Sequence, residues 1–475
     1  MTTESASPSS RKRGISAILA VQEEEFIESV SSGEPPKTRR RMDESPAQEQ
    51  GQETRRKDAN PPVKQNEETA TISHPQAAVF FSCPDVSTMK PKAVPFQQPS
   101  QLISFSYTPE HVQEFTDSAL RYYVDPPLGS RLNYGYDRWV RKPDDRGRID
   151  ALLKAISKVK RDSARGGGLP EIAVVSWRGV MTKILTVPYE NRDAWELNVM
   201  LVNGTLYLEE HLTEDRLREK NNMDARQRSQ TYYGYAFESY CTSETPPGEA
   251  SAGNIPGAPL GWGGDVDTHI QWCSVVRTKL GDMRMIMGGE VDCVKGKYTG
   301  QTDTFVELKT SLTIRGRQDE ERFERKLLKF YFQSFLLGVP EIVVGFRTPA
   351  GVVTTVQLFK TIQLPRMVRD KPGAWDPLVC LDWASGFLKE LTQRVVDDRV
   401  DDTSASVWRA RFVPGKGVSM MALDAKELED VVNGEDRVGF LPRWYWDEIK
   451  EEVRATSVKE KQMPMPTLAN AGWQI

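Results

Sequence analysis

The stretch from Gly289 to Ser311, GEVDCVKGKYTGQTDTFVELKTS, constrains this chain more than any other. It reads as two short strands joined by a polar connection that contains glycine. Glu290 and Asp292 stand two apart on the first strand, and Glu307 and Lys309 two apart on the second. Side chains alternate faces along a strand, so each pair points to one side of its own strand. Paired as a hairpin, the strands would bring three carboxylates and one ammonium onto one patch of sheet. Like charges a few ångströms apart resist joint ionisation, so the patch calls for a cation. A hard divalent ion with oxygen ligands fits. Magnesium is the expected ion, with manganese as the alternative, because it keeps open positions for water and phosphate oxygens. The chemistry this implies is metal-dependent phosphodiester hydrolysis.

Composition narrows the setting. The net charge of −4 carries no global nucleic-acid signature, so any RNA or DNA contact has to come from a local basic surface or through metal. Cys83, Cys241, Cys273, Cys293 and Cys380 form no CxxC pair and are odd in number, which argues against a zinc knuckle or a disulfide framework and suits a reducing compartment. His74, His111, His211 and His269 are too scattered for a zinc site. No apolar run approaches a membrane span and no secretory leader opens the chain, so an intracellular protein without membrane association is expected.

Residues 1–95 are rich in Ser, Pro, Glu, Gln, Lys and Arg, a composition that predicts a disordered polar tail. Its basic clusters, Arg11–Arg13 and Lys37–Arg41, read either as nuclear import signals or as a solvated tail. Residues 96–455 are expected to form one α+β catalytic domain of mixed β-sheets with flanking helices, and 456–475 a loose C-terminal tail. Within the domain, residues 116–123 are expected to be helical, and the apolar spacing over 148–161 predicts an amphipathic helix with a basic outer face. Residues 171–190 read as two strands around a turn at Arg178–Gly179, and Asn203–Gly204 as a hairpin turn. The segment 242–267, full of Gly, Pro, Ser and Ala, reads as a mobile surface loop beside the site. A helix should end at Gly338 and Pro340, and residues 376–395 read as the last long helix.

The acidic–any–Lys unit of Glu307 and Lys309 decorates many exposed strands when it stands alone. Asp292, fifteen positions earlier, gives it a catalytic reading: the carboxylates hold one or two ions while Lys309 orients water or steadies the transition state as a fixed cation. Glu238 and Glu290 add carboxylate capacity, and the Leu308 carbonyl could also reach the ion. For Glu290 a surface salt bridge remains an alternative.

Taken together, GYAFE at 234–238, EVD at 290–292, ELK at 307–309 and KLLKFYFQSFLLGVP at 326–340 resemble the successive motifs of the DXO/Rai family of RNA 5′-end nucleases. WRG at Trp177–Gly179 resembles an earlier motif of that family, and the nuclear fungal Rai type is the closer likeness. The resemblance implies a PD-(D/E)XK-like nuclease core. It implies removal of pyrophosphate from 5′-triphosphate RNA and cleavage of unmethylated or NAD caps, leaving 5′-monophosphate RNA. It further implies a nuclear location and a 5′→3′ exoribonuclease partner of the XRN class. Glu238, Asp292 and Glu307 become metal ligands, Glu290 a supporting or direct one, and Lys309 the residue that assists water. Arg178 would clamp the 5′-end phosphates, and Gln333 would contact the reacting phosphate or the nucleophile; without the resemblance, they read as a turn arginine in a surface ion pair and a polar residue at a helix edge. The alternatives are a catalytically minor scaffold that stabilises or activates the exoribonuclease, and a DNA nuclease of the same core.

Overall fold

A computed structural model describes residues 79–163, 169–246, 255–398 and 405–462. The basic clusters of the N-terminal segment, the Gly166–Gly168 run and residues 463–475 lie outside the described residues.

The architecture is α+β, built on two sheets. The larger has a central parallel pairing of Val174–Trp177 with Met283–Glu290, which then pairs antiparallel with Gln271–Leu280 and, through it, with Ser100–Tyr107. On its other side, Val174–Trp177 runs parallel to Thr205–Glu210, which pairs back onto Trp195–Val202. Asn203 and Gly204 close that hairpin with φ of 48° and 78°, the two positive angles a type I′ turn requires. The smaller sheet carries Val353–Lys360, Glu341–Arg347, Phe305–Leu312 and Cys293–Val294 in that order, then two short strands, Tyr122–Tyr123 and Thr242–Ser243.

Each sheet buries one apolar layer. Leu152, Leu153 and Ile156 of the helix Asp150–Ser163 join Phe440, Tyr445 and Trp446 against the larger sheet. Tyr232, Phe237 and Tyr240 of the helix Ala225–Tyr240 pack with Trp262, Cys293 and Val343 on the smaller one. That second helix starts at a capping box, Asp224 with Gln227, which satisfies two otherwise free N–H groups. The helix Arg317–Leu337 ends at Gly338, whose φ of 74° lets Val339 N donate back to the Ser334 carbonyl.

Several expectations change. Residues 116–123 are turns leading to a short strand, because Ser106 Oγ accepts from Ala119 N and Ser104 Oγ donates to Asp117, side-chain bonds that compete with a helix. The strand expected after Arg178 is the helix Arg178–Thr186: Val180, Met181, Ile184 and Leu185 recur at helical spacing and are buried. A strand at Val79–Ser82 pairs with Gly417–Ala422, so the folded body starts ahead of residue 96. At the other end, Pro377–Arg394 is followed by a longer helix, Arg443–Gln462, which runs past residue 455. In the segment 242–267, residues 247–254 lie outside the described residues. The part that follows is packed: Trp262 is buried, and Gly263 sits so close to the Ser239 and Thr242 carbonyls that a Cβ would lie 2.5 Å from both.

Candidate active site

The hairpin expected over residues 289–311 is divided between the two sheets. Glu290 ends a strand of the larger sheet, opposite Cys273, and the chain then crosses over through Val291 and Asp292. Cys293–Val294 pairs antiparallel with the start of Phe305–Leu312 in the smaller sheet, Cys293 opposite Val306. The acidic groups therefore gather where the sheets part, and Asp292 is tied across that junction: its Oδ2 accepts from Leu308 N at 2.6 Å. The backbone of Leu308 thus meets Asp292 through its N–H, while its side chain is buried in the core.

Two helices close the site. Arg178 opens the helix Arg178–Thr186 directly after a strand, and its Nη1 lies 3.0 Å from Glu307 Oε2. The same nitrogen donates to the Gln333 carbonyl at 3.4 Å, so Gln333 meets Arg178 through its backbone. Lys309 Nζ sits 2.5 Å from Glu307 Oε1. Glu307, 1% exposed, is held between two cations. Burial acts against its charged form, but Lys309 and Arg178 outweigh it and hold the carboxyl below its ordinary range.

The other carboxylates are not so compensated. Burial, with Asp292 next, pushes Glu290 up to about 7. Burial and then Glu307 push Asp292 up to about 6. Glu238 is raised well above the carboxylate range by burial, then by Asp292 and Glu290. For Lys309, burial opposes the charge, but Glu307 and Asp292 prevail and keep it protonated. The set is oxygen-only and strained by mutual repulsion, the condition a hard cation relieves. Among the described residues no three ligand-type side chains enclose a single point as they stand, Glu307 facing Arg178 and Lys309.

Glycines make the junction possible. Gly288 stands beside Trp177 in the parallel register, and a Cβ there would lie 2.6 Å from the indole; one on Gly289 would lie 2.8 Å from Leu337 and 3.1 Å from Arg178 Cβ. The two bare positions let the Arg178 helix and the Arg317–Leu337 helix approach the sheet at the point where Glu290 emerges.

A model of the RAI1-like PD-(D/E)XK nucleases matches residues 97–446. The chain belongs to this family. The decapping nuclease RAI1 of Mycosarcoma maydis is 34% identical over an alignment that covers 81% of this chain and 93% of that protein. Among solved structures, Candida albicans Rai1 in complex with pU5 and Mn2+ superposes with a TM-score of 0.67 at 25% identity, covering 78% of this chain and 98% of the other. Scheffersomyces stipitis Rai1 in complex with (3′-NADP)+ and calcium ion gives a TM-score of 0.66 at 25% identity, covering 76% and 100%. The matched residues 97–446 include Arg178, Glu238, Glu290, Asp292, Glu307, Lys309 and Gln333.

Arg178, Glu238, Glu290, Asp292, Glu307 and Lys309 gather at this one junction; Leu308 reaches it through its N–H and Gln333 through its backbone carbonyl. Sequence reasoning missed Gln271 and Tyr235. Gln271 Nε2 donates to Glu290 Oε2 at 3.0 Å and steadies the carboxylate, yet only the Glu290–Cys273 register brings it near. Tyr235 lies one helical turn before Glu238, and burial together with Glu238 and Glu290 keeps its hydroxyl protonated. The GYAFE motif contains it, and the helical spacing would have found it.

Proposed function

We propose that this protein is a divalent-metal-dependent hydrolase of RNA 5′ ends. It removes pyrophosphate from 5′-triphosphate RNA and cleaves unmethylated or NAD caps, leaving 5′-monophosphate RNA for 5′→3′ decay. The observation that carries the reading is the convergence of Glu238, Glu290, Asp292 and Glu307 with Lys309 and Arg178 at one partly buried junction. Four carboxylates in one place suit an ion, and two cations beside them suit a phosphate. The relatives are decapping nucleases by name, and the similar structures hold pU5 or a dinucleotide, which supports the same substrate class.

Glu238, Asp292 and Glu307, with Glu290 in support, are the residues that would hold the ion, magnesium by preference and manganese as the alternative. When bound, such an ion acidifies water and offsets charge on the phosphoryl group. Lys309 stays charged beside Glu307 and presents a fixed positive charge to the reacting phosphate. Arg178, stiffened by Glu307 and the Gln333 carbonyl, clamps the 5′-end phosphates with its remaining donors. Gln333 contacts the reacting phosphate from its helix. Water adds to phosphorus, the P–O bond to the outer group breaks, and the RNA keeps a 5′-monophosphate. The N-terminal basic clusters and the fungal Rai likeness support nuclear residence and association with an exoribonuclease of the XRN class.

The test is a panel of end-labelled RNAs carrying a triphosphate, an unmethylated cap or an NAD cap, with matched DNA, incubated with purified protein and magnesium. Release of the 5′ group from RNA and not from DNA is expected. Equal cleavage of both would sink the RNA assignment.

A further inference from the structure

Arg347, the last residue of the strand Glu341–Arg347, is 7% exposed. Its guanidinium lies over the Tyr233 ring, 4.8 Å from the centroid, and Nη1 donates to the Thr348 carbonyl at 3.3 Å. Nε is buried and has no partner. No carboxylate among the described residues forms an ion pair with it, an expensive state for a buried cation. Arg347 lines a cleft of about 960 Å³ together with Trp139, Gln227, Gln230, Thr231, Tyr235 and Gln271. Through Tyr235 and Gln271 that cleft opens onto the catalytic carboxylates. Each of its four acidic groups has a cationic partner: Asp144 has Arg141, Asp145 has Lys142, Glu210 has Lys183, and Glu219 has Arg216 at the longer distance of 4.0 Å.

A second cation stands nearby. Lys326 precedes Gln333 by seven residues on the helix Arg317–Leu337, two turns away on the same face. Burial, then Arg347 and Arg322, hold its ammonium below the usual range. These cations repel one another, and an anion between them would remove the repulsion. A guanidinium fork matches two phosphate oxygens, and amide side chains along the cleft suit ribose and base edges.

We propose that Arg347, with Lys326 beside it, binds an internucleotide phosphate of the RNA chain downstream of the reacting 5′ end. The proposal rests on the reading of the protein as an RNA 5′-end hydrolase. The subsite gives the enzyme a preference for a polynucleotide over a short capped fragment, and it adds binding without touching the bond that breaks.

The test uses the full chain and fluorescence anisotropy, in calcium, with 3′-labelled 5′-monophosphate RNAs of two and eight nucleotides. Arg347→Lys keeps the charge over Tyr233 and loses the fork; Lys326→Gln removes the second charge and keeps a polar side chain of similar length. Each variant should bind the longer RNA about 5- to 10-fold more weakly and the dinucleotide within about twofold of wild type. The slope of log affinity against log salt should fall by about 0.7 for each phosphate left without its cation. On 5′-triphosphate RNA, KM should rise while kcat holds. Equal losses on both lengths, or an unchanged salt slope, would overturn the proposal. So would inorganic pyrophosphate competing tenfold less well against the variants, which would place the released group there instead. A wild type that leaves 5′ ends intact yet shows the length-dependent loss would refute the hydrolase reading and keep the phosphate subsite.

Discussion

Gly345→Ala should separate positioning from stability at this site. Gly345 lies on the strand Glu341–Arg347, opposite Thr310, directly after the position opposite Lys309. A Cβ at Gly345 would meet Phe237 at 2.3, 2.6 and 2.8 Å, a shortfall of about 1.1 Å against the 3.4 Å of ordinary contact. Phe237 is fully buried, so the strain passes to its helix, whose next residue is Glu238. Overpacking of this kind costs about 1–3 kcal/mol, reduced by up to ~1 kcal/mol because alanine restricts the unfolded chain more than glycine. A displacement near 1 Å at a catalytic carboxylate can cost on the order of 10²-fold in rate. The variant should therefore melt a few degrees lower and, at temperatures where it is fully folded, hydrolyse 5′-triphosphate RNA about 10²-fold more slowly. Adding Phe237→Leu should recover most of the rate. Activity within twofold of wild type, or a rate loss that the second substitution leaves untouched, would refute the coupling of Gly345 to Glu238.

Glu238→Gln and Asp292→Asn should each abolish product release while raising the melting temperature measured in chelator, because each removes one of several mutually repelling buried carboxylates; a large drop in melting temperature would show that the group serves folding. Lys309→Met should lower kcat by about 10²–10³-fold with RNA affinity changed far less, the pattern of a cation that acts on the transition state. Equal losses in kcat and affinity would make it a binding lysine. Glu341, paired with Lys295 and Lys360, is held below its usual range despite partial burial. Its folded pKa lies below its unfolded one, so its contribution is complete above the unfolded value near pH 4.3 and lost as pH falls through the folded one. Glu341→Gln should flatten the acid limb of a chemical-denaturation profile and destabilise the protein near pH 7; an unchanged acid limb would mean the pairs are ornamental.

The chemistry was legible in the sequence because it depends on residue type and order: Glu238, Glu290, Asp292, Glu307 and Lys309 converge as their motifs suggest. The geometry of the junction was less so. A strand pattern over 289–311 cannot say that Glu290 ends one sheet and Cys293 starts another, since each half keeps period-two alternation. Arg178 read as a turn residue because WRG follows a clear strand, whereas the helix is set by burial of Val180, Met181, Ile184 and Leu185 against elements far along the chain. Gly288, Gly289 and Gly345 gave no signal of their own. Their role is the absence of a side chain where another element comes close, and only tertiary contact reveals it.

The proposed chemistry needs a divalent ion held by these carboxylates beside Lys309. Anomalous diffraction from crystals soaked in manganese tests it most directly. A peak is expected within ligand distance, about 2.0–2.6 Å, of oxygens from Asp292 and Glu307 and, directly or through water, from Glu238, and it should be lost in Asp292→Asn. A peak elsewhere in the molecule, or one that survives that substitution unchanged, would contradict it.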